Sequence, residues 1–164
     1  MPDASDSATP KDSEGPLTGT GRPPQVDVNL DAPKDWYDRS MIVYACPEPD
    51  AATGLDANIV VGRDAIIEGE TFPDYLTRQR DTLAMNCPDF ALISERQGRV
   101  KEFEAGDLNY RWSTPQGAVR QRVVFLFVRG GVVSFTATAA PADFEKREAV
   151  FNQALSDLSI MVQD

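Results

Sequence analysis

The sequence predicts an α+β domain, an antiparallel β-sheet with two packed α-helices, and three observations predict it. Several segments alternate apolar and polar residues with period two, separated by turns rich in Gly, Pro and Asp. Two other segments place apolar residues three and four apart, the spacing of a helix with one buried face. One of these precedes a long run of strands and the other follows it, the order of an α+β domain rather than a βαβ array. At 164 residues the chain is one domain's worth. The domain is assigned to residues 25–164. Residues 1–24 contain no aromatic side chain and consist largely of Asp, Ser, Thr, Pro, Gly and Lys, so they are expected to be a disordered tail.

The elements follow in order. "VDVNL" (26–30) alternates and is expected to form a short edge strand. Pro33 and "KDWYDRS" turn the chain into a second strand, "SMIVYA" (40–45). "CPEPDAATGLDA" is loop, and "NIVVGR" (58–63) is a third strand. In "TFPDYLTRQRDTLAMN" (71–86), Thr71 can cap a helix and Pro73 fits its first turn. Phe72, Leu76, position 79 and Leu83 make the buried stripe, with Tyr75 beside it. Position 79 should be apolar, and it is Gln79.

"FALISER" and "RVKEFEA" read as a hairpin about Gln97-Gly98. A meander follows through "LNYRWS", the turn "TPQG", "AVRQRVVFLFV", the turn "RGG" and "VVSFTATA". One face of the strand around 119–128 carries Gln121, Val123, Phe125 and Phe127. The other carries Arg120, Arg122, Val124, Leu126 and Val128. Its later half is apolar on both faces, so it is central and covered on both sides. Two helices suffice for one face, which assigns the other to a further cover. A last helix opens at Pro141 and lines its inner face with Phe144, Phe151, Leu155, Leu158 and Val162.

Composition excludes several classes of function. The formal charge is −10, which gives no electrostatic reason to bind nucleic acid or an anionic membrane. Histidine is absent, and with it the commonest general base and the commonest metal ligand. Cys46 and Cys87 form no CxxC and are expected to be two buried, unpaired thiols. No GxGxxG, phosphate loop or GxSxG occurs. No catalytic residue, metal or cofactor is therefore expected. The first residues lack the basic start, apolar run and cleavage site of a secretory signal, and no segment reaches membrane-spanning length. The expectation is a soluble, cytoplasmic protein that does not itself insert into a membrane.

Gln79 interrupts an apolar helical stripe, and Gln121 ends an apolar strand row. A single glutamine in such a stripe usually sits at its margin with its amide bonded to nearby backbone. Two in one small domain allow a second account, a mostly apolar groove carrying a few amides. Such a groove suits an apolar helix rich in Gly, Ala, Ser and Thr, whose hydroxyls and backbone want partners. Glutamine supplies a donor and an acceptor without the desolvation cost of a charge. Short apolar rows on the early strands, Met41 with Val43 and Ile59 with Val61, could join it.

"DWYDRSMIVY", "YLTRQRDTL", "VRQRVVFLF" and "VVSFTATAAPADFEKREAVFNQALSDLSI", taken together, resemble the DcrB-like superfamily of PsbP-like fold. Within it they look most like the Eag proteins, the effector-associated chaperones of type VI secretion systems. The resemblance spans roughly residues 26–162. It implies a cytoplasmic homodimer that shields the N-terminal transmembrane helices of a PAAR- or Rhs-type effector before export. Carried over by motif, it assigns Met41, Val43, Ile59, Val61, Gln79, Leu83 and Gln121 to the groove, and Val123 continues the row from Gln121. The N-terminal tail departs from the compact family pattern. The alternatives are an immunity-type or regulatory protein-binding module, and a PsbP-like carrier of a small ligand.

Overall fold

The computed structural model describes Val26 and residues 28–162. The expected tail at 1–24 lies outside the described residues. The chain divides after Tyr37. In the first part, Lys34 and Asp35 form a turn that the Trp36 N–H closes on the Pro33 carbonyl at 3.1 Å, with Asp35 at φ +69°. Val26 and residues 28–30 form no strand, against expectation. Five alternating residues between Pro24 and Pro33 are too few to hold an extended ladder on their own.

Among the described residues, the second part, from Asp38 onward, holds six strands and two helices. They are β1 (Ile42–Ala45), β2 (Asn58–Ala65), α1 (Phe72–Asn86), β3 (Ala91–Val100), β4 (Phe103–Thr114), β5 (Gly117–Val128), β6 (Gly131–Ala139) and α2 (Pro141–Asp157). One sheet joins all six in the order β1-β2-β6-β5-β4-β3, and every pairing is antiparallel. The α+β reading is thus correct.

Two boundaries differ from the sequence reading. The turn placed at Gln97-Gly98 lies at Lys101-Glu102, where Lys101 takes φ +54°. β3 and β4 are accordingly long, because the polar pair Gln97 and Gly98 stays paired with Gly106 and Ala105 inside the ladder. α2 stops at Asp157, short of Leu158 and Val162. Leu158 instead continues in extended chain, packed with Ile160 on the core.

The helices do not share a face. Phe72, Tyr75 and Leu76 of α1 pack with Leu108, Tyr110, Val123, Phe125 and Val132. Phe144, Phe151 and Leu155 of α2 pack with Val124, Leu126, Phe135, Ala137 and Ala139. Successive strand residues point to opposite sides, so α1 covers one face and α2 the other. No further cover is needed, because each helix supplies the apolar surface its own face of β5 requires.

Local signals explain both helices. The Thr71 hydroxyl accepts the Asp74 N–H while the Asp74 carboxylate receives the Thr71 N–H and hydroxyl, a reciprocal cap. α2 starts without a side-chain cap, on Ala140 followed by Pro141 at its first turn. On the α2 face two arginines are clamped. Arg122 grips Asp107 at 2.7 Å and the Asn152 carbonyl of α2 at 2.7 Å. Arg120 bonds Asn109 and lies 4.5 Å over the Phe144 ring.

Candidate binding groove

The sheet register decides which of the eight predicted groove residues can meet. Val123 and Phe125 face α1, and directly paired residues share a face. The α1 face of β6 therefore carries Ser134, Thr136 and Thr138, which pair with Phe125, Val123 and Gln121. The α1 face of β2 carries Asn58, Val60 and Gly62, opposite Thr138, Thr136 and Ser134. Val43 pairs with Val60 and adds the outermost row, with Met41 beside it. Met41 and Val43 are 64% and 57% exposed.

Six of the predicted residues thus lie on this face: Met41, Val43, Gln79, Leu83, Gln121 and Val123. Ile59 and Val61 do not. They fall on the α2 face and pack against Phe135 and its neighbours. One residue of register separates the two sets, and period two sends adjacent positions to opposite sides. The residues that β2 does offer are Val60 and Gly62. Val123 is on the correct face but buried beneath α1, so it supports the groove rather than lining it.

α1 packs its three buried residues mainly over β4 and β5, and its start reaches further, to Val132 at the beginning of β6 and, through the Tyr75 hydroxyl, to Asp64 at the end of β2. The half made by β6, β2 and β1 keeps a row of half-buried hydroxyls and small or apolar side chains. Asn58, Val60, Gly62, Ser134, Thr136 and Thr138 carry no charge, in a chain where 26% of residues are charged. Leu83 packs onto the edge of the α1 cluster and Gln79 lies half-buried one turn before it. At one end a cleft of about 560 Å³ opens between Trp112, Gln121, Thr138, Asn58, Leu55 and Pro115.

The two glutamines differ. The Trp112 indole N–H donates to the Gln121 carbonyl at 2.6 Å, and the Gln121 amide donates to the Thr138 hydroxyl at 2.8 Å. Gln121 is the middle of a chain linking β4, β5 and β6, so the bland account holds for it: its amide is engaged within the fold. For Gln79 it does not hold. Among the described residues no hydrogen bond engages its amide, and no buried polar atom is left sealed without a partner. Its amide therefore faces solvent, on a helix stripe whose other members are apolar.

At the start of α1 the polar contacts are structural. Tyr75 donates its hydroxyl to Asp64 at 2.9 Å, and burial followed by that bond pushes its pKa well above the usual tyrosine value. Arg78 pairs with Glu70 through two bonds, at 2.7 and 2.9 Å, and its guanidinium lies 5.2 Å over the Tyr75 ring. Cys46 and Cys87 are unpaired, as expected, but half-buried rather than buried. Burial raises the Cys87 pKa, which disfavours its thiolate at neutral pH. Among the described residues no three His, Cys, Asp or Glu side chains are placed to share a metal ion. No helix among them is long and apolar enough to cross a membrane.

Sequence reasoning missed the hydroxyl row, although "VVSFTATA" displays Ser134, Thr136 and Thr138 at strict alternation. Polar residues alternating with Phe135, Ala137 and Ala139 were the available signal. It marked a sheet face not wholly covered.

A family model described as DcrB matches residues 28–157. Among solved structures the chain is similar to PA94 of Pseudomonas aeruginosa, a protein of unknown function. That match has 28% identity and a TM-score of 0.72, covering 82% of this chain and 92% of PA94. The chain also shares its fold with CyanoP, the cyanobacterial PsbP of Synechocystis sp. PCC 6803. There the identity is 14% and the TM-score 0.50, covering 76% of this chain and 84% of CyanoP. No protein of curated function matches the sequence.

Proposed function

The chain belongs to the DcrB family, and from that premise we propose that it is a chaperone of the Eag type. It binds the N-terminal transmembrane helices of a PAAR- or Rhs-containing type VI secretion effector in the cytoplasm and keeps them soluble until export. It performs no chemistry and needs no cofactor or metal. It acts as a homodimer and does not enter the membrane itself.

One observation carries this proposal: an uncharged row beside α1, floored by Ser134, Thr136 and Thr138, together with a half-buried Gln79 on α1 whose amide no hydrogen bond engages among the described residues. An apolar helix laid there would bury its side chains against Val43, Val60 and Leu83. Its Ser or Thr hydroxyls, or carbonyls left accessible by Gly, would find Gln79 and the β6 hydroxyls. Each such bond between helices in an apolar setting is worth roughly 0.5 to 2 kcal/mol. A chain of net charge −10 keeps such a complex in solution.

The test is co-expression with the N-terminal fragment of a PAAR- or Rhs-type effector from the same genome. The fragment should be recovered in the soluble fraction bound to this protein, and lost to the pellet without it. Gln79→Leu should reduce recovery without lowering the melting temperature. Equal recovery with and without the chain overturns the proposal. Size-exclusion chromatography with light scattering checks the dimer.

A further inference from the structure

The uncharged row on the α1 face is closed at one end and open at the other. At Gly62 the Met41 side chain lies over the strand, 3.8 Å from where a Cβ would stand. Asp64, the next residue on that face, is held by the Tyr75 hydroxyl at 2.9 Å. At the opposite end the pair of Asn58 and Thr138 borders the cleft of about 560 Å³, a size within the range of ligand-binding clefts, about 300–1,000 Å³. Its walls are fixed by their own bonds. On one side the Asp50 carboxylate accepts the Thr53 N–H and hydroxyl at 2.9 and 2.7 Å, and the Gly54 N–H donates to the Asp50 carbonyl at 2.7 Å. On the other the Thr114 hydroxyl donates to the Gly117 carbonyl at 2.8 Å and accepts the Gln116 N–H at 3.2 Å. The chain from Trp112 through Gln121 to Thr138 makes the floor.

Three groups of the lining are left over from this framework. Among the described residues no hydrogen bond or ion pair engages the Asp56 carboxylate, none engages the half-buried Asn58 amide, and no acceptor takes the Thr138 hydroxyl proton. The lining holds no Lys or Arg, so its only charge is negative. An α-helix begins with backbone N–H groups that have no partner inside it, at the positive end of its dipole. Asp and Asn are the residues that cap such groups within a chain. We infer that the cleft is an end-capping site that takes the first turn of the bound apolar helix, so that the helix lies in the groove in one direction, N-terminus at Trp112. This inference rests on the groove proposed above and adds a polarity to it. The Asp56 carboxylate and the Asn58 carbonyl accept the free N–H groups, while Leu55, Trp112 and Pro115 cover the apolar side chains of that turn. The reverse orientation would set unpaired carbonyls and the negative end of the dipole against Asp56, with no cation in the lining to receive them.

The experiment uses the full chain with Trp36→Phe, which leaves Trp112 as its single tryptophan. Two peptides of about 20 residues, about 30 Å as a helix, are made of Leu, Ala and Ser with acetylated and amidated ends. One carries a nitroxide on a cysteine in its first turn, the other in its last. Calorimetry reads binding, and quenching of Trp112 at saturation reads which end lies beside it. The N-terminal label should quench most of the Trp112 emission and the C-terminal label little of it. Asn58→Leu should weaken binding about fivefold, the scale of one lost helix cap, without lowering the melting temperature. Asp56→Lys should weaken it about threefold or more and shrink the difference between the labels, because the charge facing the helix dipole is reversed. Equal quenching by the two labels, or stronger quenching by the C-terminal one, overturns the polarity while leaving the groove. An Asp56→Lys variant that keeps both the parent affinity and the label preference does the same. Binding of neither peptide removes groove and cap together.

Discussion

The two faces of the sheet are built from the same strands and finished differently. On the α2 face the rows end in residues that reach their partners: Phe135 and Phe144 are almost wholly buried, and Arg120 and Arg122 are clamped between strand and helix. On the α1 face the helix covers β4 and β5 and, with its start, only one end of β6 and β2. The rest of that face ends in the half-buried hydroxyls of Ser134, Thr136 and Thr138 and, among the described residues, a Gln79 amide that no hydrogen bond engages. A closed face spends its side chains on stability, and an open one leaves groups whose partners must come from elsewhere. Substitutions on the two faces should therefore separate folding from binding.

The largest effect belongs to the closed face. Phe135→Ala or Phe144→Ala should lower unfolding free energy by about 3–5 kcal/mol in urea titration, because each leaves a cavity in a packed core. A cost under about 1 kcal/mol would show that the α2 face is not the stable half.

Next comes the covered half of the α1 face. Gly106→Ala forces Leu76 from its place and should cost about 1–3 kcal/mol. Leu76→Ala in the same chain should recover part of that loss, since the colliding methyls are gone. A harmless Gly106→Ala would show that α1 does not need a bare backbone beneath Leu76.

The two glutamines sharpen the comparison further. Gln121→Leu strips a partner from both Trp112 and Thr138 and should destabilise by about 1–2 kcal/mol. Gln79→Leu should leave stability within about 0.5 kcal/mol of the parent, as surface changes do, and act on cargo alone. Paired melting curves and cargo pull-downs read both. Equal destabilisation by the two would return Gln79 to the core.

The smallest effect is acid sensitivity at the start of α1. Hydrogen bonds from Arg78 hold the Glu70 carboxyl below its ordinary value of 4.5, and those from Thr71 hold Asp74 below 3.8. Carboxyls lowered in the folded state stabilise it fully above those ordinary values, and the contribution disappears as pH falls through the lowered ones. The melting temperature should be flat from pH 7 to about pH 5 and then fall, and Asp74→Asn should make the fall shallower. An unchanged slope in that variant would show the cap to be inert.

The sequence made the architecture visible because period and punctuation are local properties. Thr71, Pro73, Pro141 and the turn at Arg129-Gly130 mark their elements directly. What it could not show was the assignment of faces. Ile59 and Val61 alternate as cleanly as Met41 and Val43, and only the pairing of β2 with β6 sends the former pair to the α2 side. Gln79 and Gln121 likewise look equivalent along the chain. They part only in space, where Trp112 and Thr138 reach one of them and, among the described residues, no hydrogen bond engages the other.

The strand order has a kinetic consequence. β3 to β6 are joined by tight hairpins and can zip locally, but β2 pairs with β6 across the whole of α1, β3, β4 and β5. That seam closes the longest loop in the sheet, so its entropy is lost before its contacts reward it. The hairpin of β1 and β2 should be the last piece to dock and the first to detach, with amide protection in β2 lower than in β4 and β5. The floor of the groove lies along that seam, between Val60 and Thr136 and between Gly62 and Ser134. A chain still short of its native state would therefore have a core but no groove, and cargo would meet a binding surface only once folding was complete.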